Sequence, residues 1–163
     1  MRIYIIGNSC SGKSTLAKKL SKKLLMTHHD LDHLFWSNKE MNQLNKNRFF
    51  ELDEILDNKR IIIEGVYKSL ESRIIKKTDI LIFLNVSKEE NKRRLLKRHK
   101  DPQRAKYIQS YYDGKRFNGK HEIYSRVSHL ALFDSFKGFK INYSDNTPFD
   151  EVVESIIAFS NKS

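Results

Sequence analysis

The chain has little of what marks secreted, fibrous or membrane proteins. Cys10 is the single cysteine in 163 residues. One cysteine closes no disulfide within the chain, which excludes a disulfide-stapled fold and fits a reducing, cytoplasmic setting. Two prolines and six glycines leave little material for long flexible linkers, so one domain spanning 1–163 is expected. No apolar run approaches the ~18 residues of a membrane span. The opening MRIYIIG is too short for a signal peptide, and its apolar part ends in a glycine turn rather than a cleavage site. There is no internal repeat and no low-complexity tract. Negative charge is the scarcer sign: 20 Asp and Glu stand against 31 Lys and Arg, a formal charge of +11. That excess favours anionic partners, meaning nucleotides, phosphorylated metabolites or nucleic acid.

What is present is an alternation. Five short apolar runs, Arg2–Ile6, Met26–Leu31, Arg60–Glu64, Asp79–Val86 and Phe139–Tyr143, are separated by helical patterns. IYII, RIIIE and ILIFL are nearly continuous and rich in β-branched or aromatic residues, as parallel strands covered on both faces require. Helical spacing is expected over Lys13–Leu25 and over Lys39–Asp57. Ser87-Lys88-Glu89-Glu90 has the form of a capping box. Asp101-Pro102 restarts a helix that Gly114 ends, Ile123, Val127, Leu130 and Ala131 share one helical face, and Thr147-Pro148 opens the last helix. Strand and helix in this rhythm predict an α/β, three-layer domain around a parallel sheet.

Gly7-x-x-x-x-Gly12-Lys13-Ser14 is a complete phosphate-binding P-loop pattern, set between an apolar strand and a helix. Glycine lets backbone N–H groups turn inward around an anion without Cβ clashes. The helix that follows offers unsatisfied N–H groups and a partial positive charge to the same anion. The nucleotide-binding loop is therefore Gly7, Asn8, Ser9, Cys10, Ser11, Gly12, Lys13, Ser14 and Thr15. Lys13 is expected at the β- and γ-phosphates and the Ser14 hydroxyl on Mg²⁺. Cys10 reads as a tolerated loop residue rather than a nucleophile.

Two further strand ends carry carboxylates. In HHDLDHLFW, Asp30 and Asp32 are two apart, so a continuing strand points both to one face at the ligand crevice. A carboxylate there accepts the proton of a phosphoryl-acceptor hydroxyl; the alternative is that Asp30 caps the strand end or pairs with a lysine. His28, His29 and His33 make a weak zinc pattern, because adjacent histidines on a strand face opposite ways. In IIIEGVY, Glu64 closes an apolar strand in the manner of an acidic residue that holds Mg²⁺-bound water or a substrate hydroxyl, or else merely ends the strand with a charge.

From Asn91 to Lys120 eleven Lys and Arg stand against Asp101 and Asp113, so 11 − 2 leaves +9 in this segment alone. Most of these charges suit a solvated face. After the fourth strand, however, small kinases place a lid whose arginines neutralise transferring phosphate. Arg94 and Arg98 are four apart, and so on one helix face. Tyr107, Ile108, Tyr111 and Tyr112 form another face, for core packing or for base stacking.

The P-loop, LDHLFW (Leu31 to Trp36), IIEGVY (Ile62 to Tyr67) and DILIFLNV together resemble the small P-loop kinases named topology modulation proteins, within the adenylate kinase-like and shikimate kinase-like group. The resemblance covers roughly residues 1–98, about 60% of the chain. It implies a five-stranded sheet in the order 2-3-1-4-5 and ATP with Mg²⁺ as cofactors. It also implies phosphoryl transfer to a small hydroxylated or phosphorylated acceptor. The residues that match are the P-loop set, Asp32 as the acidic residue after strand two, and Glu64 with Gly65 after strand three. Arg94 and Arg98 fall where lid arginines begin. NYSDN (Asn142–Asn146) falls where the group places its adenine-contacting loop. EGVYKS stands where adenylate kinases carry acid-Gly-Phe-Pro-Arg, which argues against that activity, and the segment after residue 98 is closer to nucleoside kinase lids. The expectation is a cytoplasmic ATP-dependent kinase with Lys13, Asp32, Arg94 and Arg98 catalytic, Ser14 and Glu64 on the metal, and a nucleoside or nucleotide as acceptor. Phe35 and Trp36 either wall the acceptor pocket or pack in the core. The rival expectation is a nucleic-acid-associated P-loop NTPase or regulator. Against it, the excess charge sits in one lid-like segment, and no helix-turn-helix or zinc module is present.

Overall fold

The computed structural model describes residues 1–103, Lys106, Ile108, Tyr112 and 125–162. In chain order the elements are β1 (Arg2–Gly7), α1 (Lys13–Leu24), β2 (Thr27–Asp30), α2 (Leu31–Phe35), α3 (Arg48–Asp57), β3 (Ile61–Glu64), α4 (Lys68–Lys77), β4 (Ile80–Leu84), α5 (Lys88–Arg98), α6 (Arg126–Ser135), β5 (Phe139–Tyr143) and α7 (Phe149–Ser160). The strands form one parallel sheet in the order β2-β3-β1-β4-β5, as the resemblance implies.

The continuous apolar runs are explained by burial on both sides. Ile3 and Ile5 of β1, Ile62 of β3, and Ile80, Ile82 and Leu84 of β4 face a core filled by Leu16, Ala17 and Leu20 of α1 and Val152, Val153 and Ile156 of α7. Their neighbours Tyr4, Ile6, Ile61, Ile63, Leu81 and Phe83 face the other core. There they meet Leu52 and Leu56 of α3, Leu70 and Ile74 of α4, and Phe136 just past α6. Side chains alternate across a strand, so a strand between two helical layers needs apolar residues at every position. The edge strand β5, covered less, alternates exposed Lys140 and Asn142 with half-buried neighbours.

Several expected boundaries move. The helix over Lys39–Asp57 is confined to Arg48–Asp57. Residues 37–45 instead form a loop closed by a Trp36–Leu44 bridge. Asparagine chemistry is the reason. Asn38 Oδ1 accepts from the backbone N–H of Asn42 and Gln43, and Asn45 Oδ1 from that of Asn47. Such local bonds compete with a helix for the same donors. β2 stops at Asp30, one residue before the expected end, because the chain turns at once into α2. Ser87 caps α5 by accepting from Glu90 N–H, but the reciprocal half of the box is missing. The Glu90 carboxylate is taken instead by Arg93 and Arg94. On α6 the inward residues are His129, Leu130 and Phe133, whereas Val127 is exposed. Pro102 and Gln103 are helical, as expected. The end of that helix at Gly114, Ile123, and Tyr107 and Tyr111 of the tyrosine face lie outside the described residues, as does the expected lid from 113 to 120. Among the described residues no helix is long and apolar enough to cross a membrane.

Candidate functional site

The C-terminal ends of the parallel strands meet at one cleft of about 830 Å³, floored by Cys10–Thr15 and walled by His28, Asp30, His33, Arg94, Arg98 and Tyr143. The loop from Gly7 to Gly12 is where the sequence places its phosphate cradle. A Cβ on Gly7, at φ +149°, would lie 2.9 Å from Ser11 Oγ and 3.0 Å from Leu84. Gly12 turns the chain into α1 at φ 105°, ψ 15°, in the left-handed region that glycine enters at least cost. No side chain caps α1 and no carboxylate lies in its first turn. The N–H groups there are thus left for an anion, and the helix dipole favours one.

Lys13 reaches back across the loop. Its ammonium donates to Gly7 O at 3.0 Å and to Asn8 O at 3.1 Å. Burial pushes its pKa down, opposed by Glu64 first and then Asp32, Cys10 and Asp30. A lysine held inside a loop by carbonyls, with three carboxylates nearby, supplies a fixed positive charge beside the loop backbone.

Helix α5 braces the outer side of the same loop. Asn91 donates from Nδ2 to Ser9 O at 2.8 Å, and Arg94 from Nη1 to Ser11 O at 2.7 Å. Arg94 also donates to Glu90 and to Asp145. Its fork is thus shared between the P-loop and the NYSDN loop after β5. Arg98 comes to 3.7 Å from Cys10 Sγ at the rim. Asn91 was not marked by the sequence, and Asp145 was marked only as part of NYSDN, not as a partner of Arg94.

Glu64 ends β3 and is 2% exposed, opposite Asp30 in the β2–β3 register. Among the described residues nothing lies within hydrogen-bond reach of its Oε1, and His28 Nε2 stands 3.8 Å away. Burial pushes the carboxyl up, but His28, the Ser14 hydroxyl and Lys13 outweigh it and hold the pKa below the ordinary range. An ionised, buried oxygen beside a hydroxyl is the hard donor set that Mg²⁺ takes, so these residues fit that ion. Among the described residues no group of three or more His, Cys, Asp and Glu is arranged around a metal.

Asp30 and Asp32 do not share a strand face as expected. Asp30 is the N-cap of α2, its Oδ1 accepting from Asp32 N–H at 2.9 Å. Burial pushes its pKa up, against that bond. Asp32 therefore sits, exposed, in the first turn of a helix, near enough to Lys13 to act on its charge. The sequence did not connect it to Tyr67, whose Oη donates to Asp32 Oδ1 at 2.6 Å. Phe35 stacks on Tyr67 with centroids 3.9 Å apart, and Trp36 meets Phe35 edge-on at 5.1 Å. The quoted LDHLFW and EGVY pieces are thus two halves of one cluster.

The AAA domain family matches residues 3–116, a span that holds the whole P-loop and every cleft residue named above except Tyr143. The chain belongs to this family of P-loop proteins. Among curated relatives of this P-loop protein, a cytidylate kinase from Sulfurisphaera tokodaii is 33% identical over 99% of this chain and 96% of the relative. The YorR protein from Bacillus subtilis, solved in complex with phosphorylated GDP, superposes with a TM-score of 0.65 at 18% identity, over 99% of this chain and 96% of that one. Shikimate kinase from Aquifex aeolicus gives a TM-score of 0.55 at 19% identity, over 99% and 97%. The fold of this P-loop protein is that of small P-loop kinases.

Proposed function

We propose that this protein is an ATP- and Mg²⁺-dependent kinase acting on a small acceptor, with a nucleoside or nucleotide as the acceptor class. One observation carries the reading. A P-loop with its lysine, a buried ionised Glu64 and an exposed Asp32 meet at neighbouring strand ends, where both carboxylates act on the Lys13 charge, which supports a phosphate side and a hydroxyl side. The acceptor class draws support from the 33% identical cytidylate kinase and from the phosphorylated GDP held by YorR.

In this reading the loop amides and Lys13 hold the β- and γ-phosphates. Ser14 and Glu64 would hold Mg²⁺, which when bound would neutralise phosphate charge. Asp32 orients the acceptor hydroxyl and takes its proton. Asp32 Oδ1 is occupied by Tyr67, so Oδ2 faces the acceptor. Arg98, at the rim beside Cys10, adds positive charge toward the transferring group, and Arg94 does so while holding the loop in shape. These roles divide the barrier between positioning and electrostatics, which is where phosphoryl transfer is controlled.

The test is ATP consumption by the purified chain with Mg²⁺, without acceptor and with a panel of nucleosides, nucleoside monophosphates including CMP, and sugar-like hydroxyl compounds. Stimulation by a nucleoside or nucleotide supports the proposal. Stimulation by a sugar-like compound alone moves the acceptor class. ATP hydrolysis stimulated by DNA or RNA instead, with none by small acceptors, overturns the kinase reading in favour of a nucleic-acid-associated NTPase.

A further inference from the structure

Three residues from two separated segments form a hydrogen-bond chain that ends on Asp32. Trp36 Nε1 lies 2.9 Å from Tyr67 Oη, and Tyr67 Oη lies 2.6 Å from Asp32 Oδ1. The sense of this chain follows from chemistry alone. An indole N–H only donates, and an ionised carboxylate only accepts. The phenol has one proton. Since its lone pair receives the Trp36 proton, its own proton goes to Asp32. Burial, and then Asp32 itself, push the Tyr67 pKa up, so the phenol stays protonated through the working pH range.

The carboxylate is thereby fixed from two sides. Its backbone is anchored by Asp30 Oδ1, which accepts from Asp32 N–H, and by Trp36 N–H, which donates to Asp32 O at 3.2 Å. Its side chain is anchored by the phenol. Tyr67 is in turn clamped by Phe35, stacked at an interplanar angle of 16°. An exposed aspartate with no side-chain anchor samples several rotamers, and each productive encounter then waits for one of them. Here one oxygen is taken by a short charge-assisted bond, and the other makes no hydrogen bond among the described residues.

We propose that Tyr67 is the positioning residue for Asp32, with Trp36 setting the direction of its proton, so that Oδ2 is held toward the acceptor hydroxyl. The proposal rests on the kinase reading, in which Asp32 serves the acceptor. It is independent of which acceptor is used. The Phe35–Trp36–Tyr67 cluster then has a role beyond filling space: it is the rigid mount of a single carboxylate.

The experiment compares wild type, Tyr67→Phe, Asp32→Asn, Trp36→Phe and the three double variants that pair them. The acceptor is the panel compound giving the highest turnover, and ATP affinity is followed by calorimetry. Loss of one bond to a charged group is expected to lower kcat in Tyr67→Phe about tenfold or more, with ATP affinity unchanged. In the Asp32→Asn background the same change is expected to have little further effect, because the group it positions no longer takes a proton. Trp36→Phe should show a smaller loss that does not add to that of Tyr67→Phe. Tyr67→Phe should also shift the emission of Trp36, the only tryptophan, even without ligands.

A wild-type kcat in Tyr67→Phe, with Asp32→Asn impaired, overturns this assignment alone. An equal fold-loss from Tyr67→Phe in both backgrounds also overturns it, because Tyr67 then acts without Asp32. Unimpaired transfer in Asp32→Asn, or no active compound in the panel, overturns the function assigned to Asp32 and this inference with it. Should Tyr67→Phe fail to fold, the Trp36→Phe and Asp32→Asn cycle decides in the same way.

Discussion

Arg94 and Asp145, 51 residues apart, meet at 2.8 Å across the end of the sheet. Their pair ties α5 to the loop after β5, while the same guanidinium holds Ser11 O. Both side chains are about a third exposed, at 33% and 28%. Water and salt therefore weaken the attraction, and Asp145→Asn is expected to cost only about 0.5–1 kcal/mol of stability. Arg94→Ala is expected to cost more, since a loop carbonyl loses its donor as well. Urea unfolding of both variants and the pair, at low and high salt, checks this. A coupling that survives 1 M salt unchanged would be inconsistent with a partly solvated ion pair.

Lys13→Ala is expected to lower transfer about 10²-fold or more, the scale seen when one preorganised positive or donor group is removed from a charged transition state. ATP binding should weaken as well, because the lysine meets the same phosphates in the ground state. Steady-state transfer and ATP calorimetry separate the two effects. Turnover at the wild-type rate would take the P-loop out of the chemistry.

Glu64→Gln keeps the shape of the side chain but removes its charge. The Mg²⁺ concentration for half-maximal turnover is expected to rise about tenfold, as for groups that hold a metal through water. Independently of turnover, Mn²⁺ binding to the protein with a non-hydrolysable ATP analogue, read by electron paramagnetic resonance, should weaken similarly. If both readouts match wild type, Glu64 serves only to end its strand.

His129 sets an acid limit on stability. It is 1% exposed on α6, and burial, with Lys13 adding to it, pushes its pKa down to about 3. In the unfolded chain the imidazole titrates near 6.5. Above that pH both states are neutral and this group adds no slope. Between about 6.5 and 3 the unfolded state binds a proton that the folded state refuses, so stability falls as pH falls. The slope from this one group is at most about 1.4 kcal/mol per pH unit. Urea midpoints from pH 7 to pH 4 in wild type and His129→Leu check it. Equal slopes in the two proteins would show that other groups carry the acid sensitivity.

Much of the fold was legible in the chain because it is written in short-range terms. A strand covered on both faces needs apolar residues at every position, so IYII, RIIIE and ILIFL announce their strands. A phosphate loop needs glycine at two places and a lysine beside the second, so Gly7 to Ser14 announces itself too. The misread stretch was Lys39–Asp57, where apolar spacing at helical intervals was overridden by Asn38 and Asn45 bonding to the backbone.

The site divides in the same way. The loop from Gly7 to Thr15, with Glu64 closing a strand, is a local pattern legible in the sequence. The surroundings of Asp32 were decided by tertiary structure. Asp30 turns the chain into a helix just where a continuing strand was expected, and that turn sends Asp32 to Tyr67, 35 residues away. Asn91, Arg94 and Asp145 became braces of the P-loop only when the parallel sheet brought the ends of β1, β4 and β5 side by side. Sequence spacing records which residues share a strand or a helix face. It holds no record of which hydrogen-bonding tips meet across elements, because those meetings are set by how the layers pack.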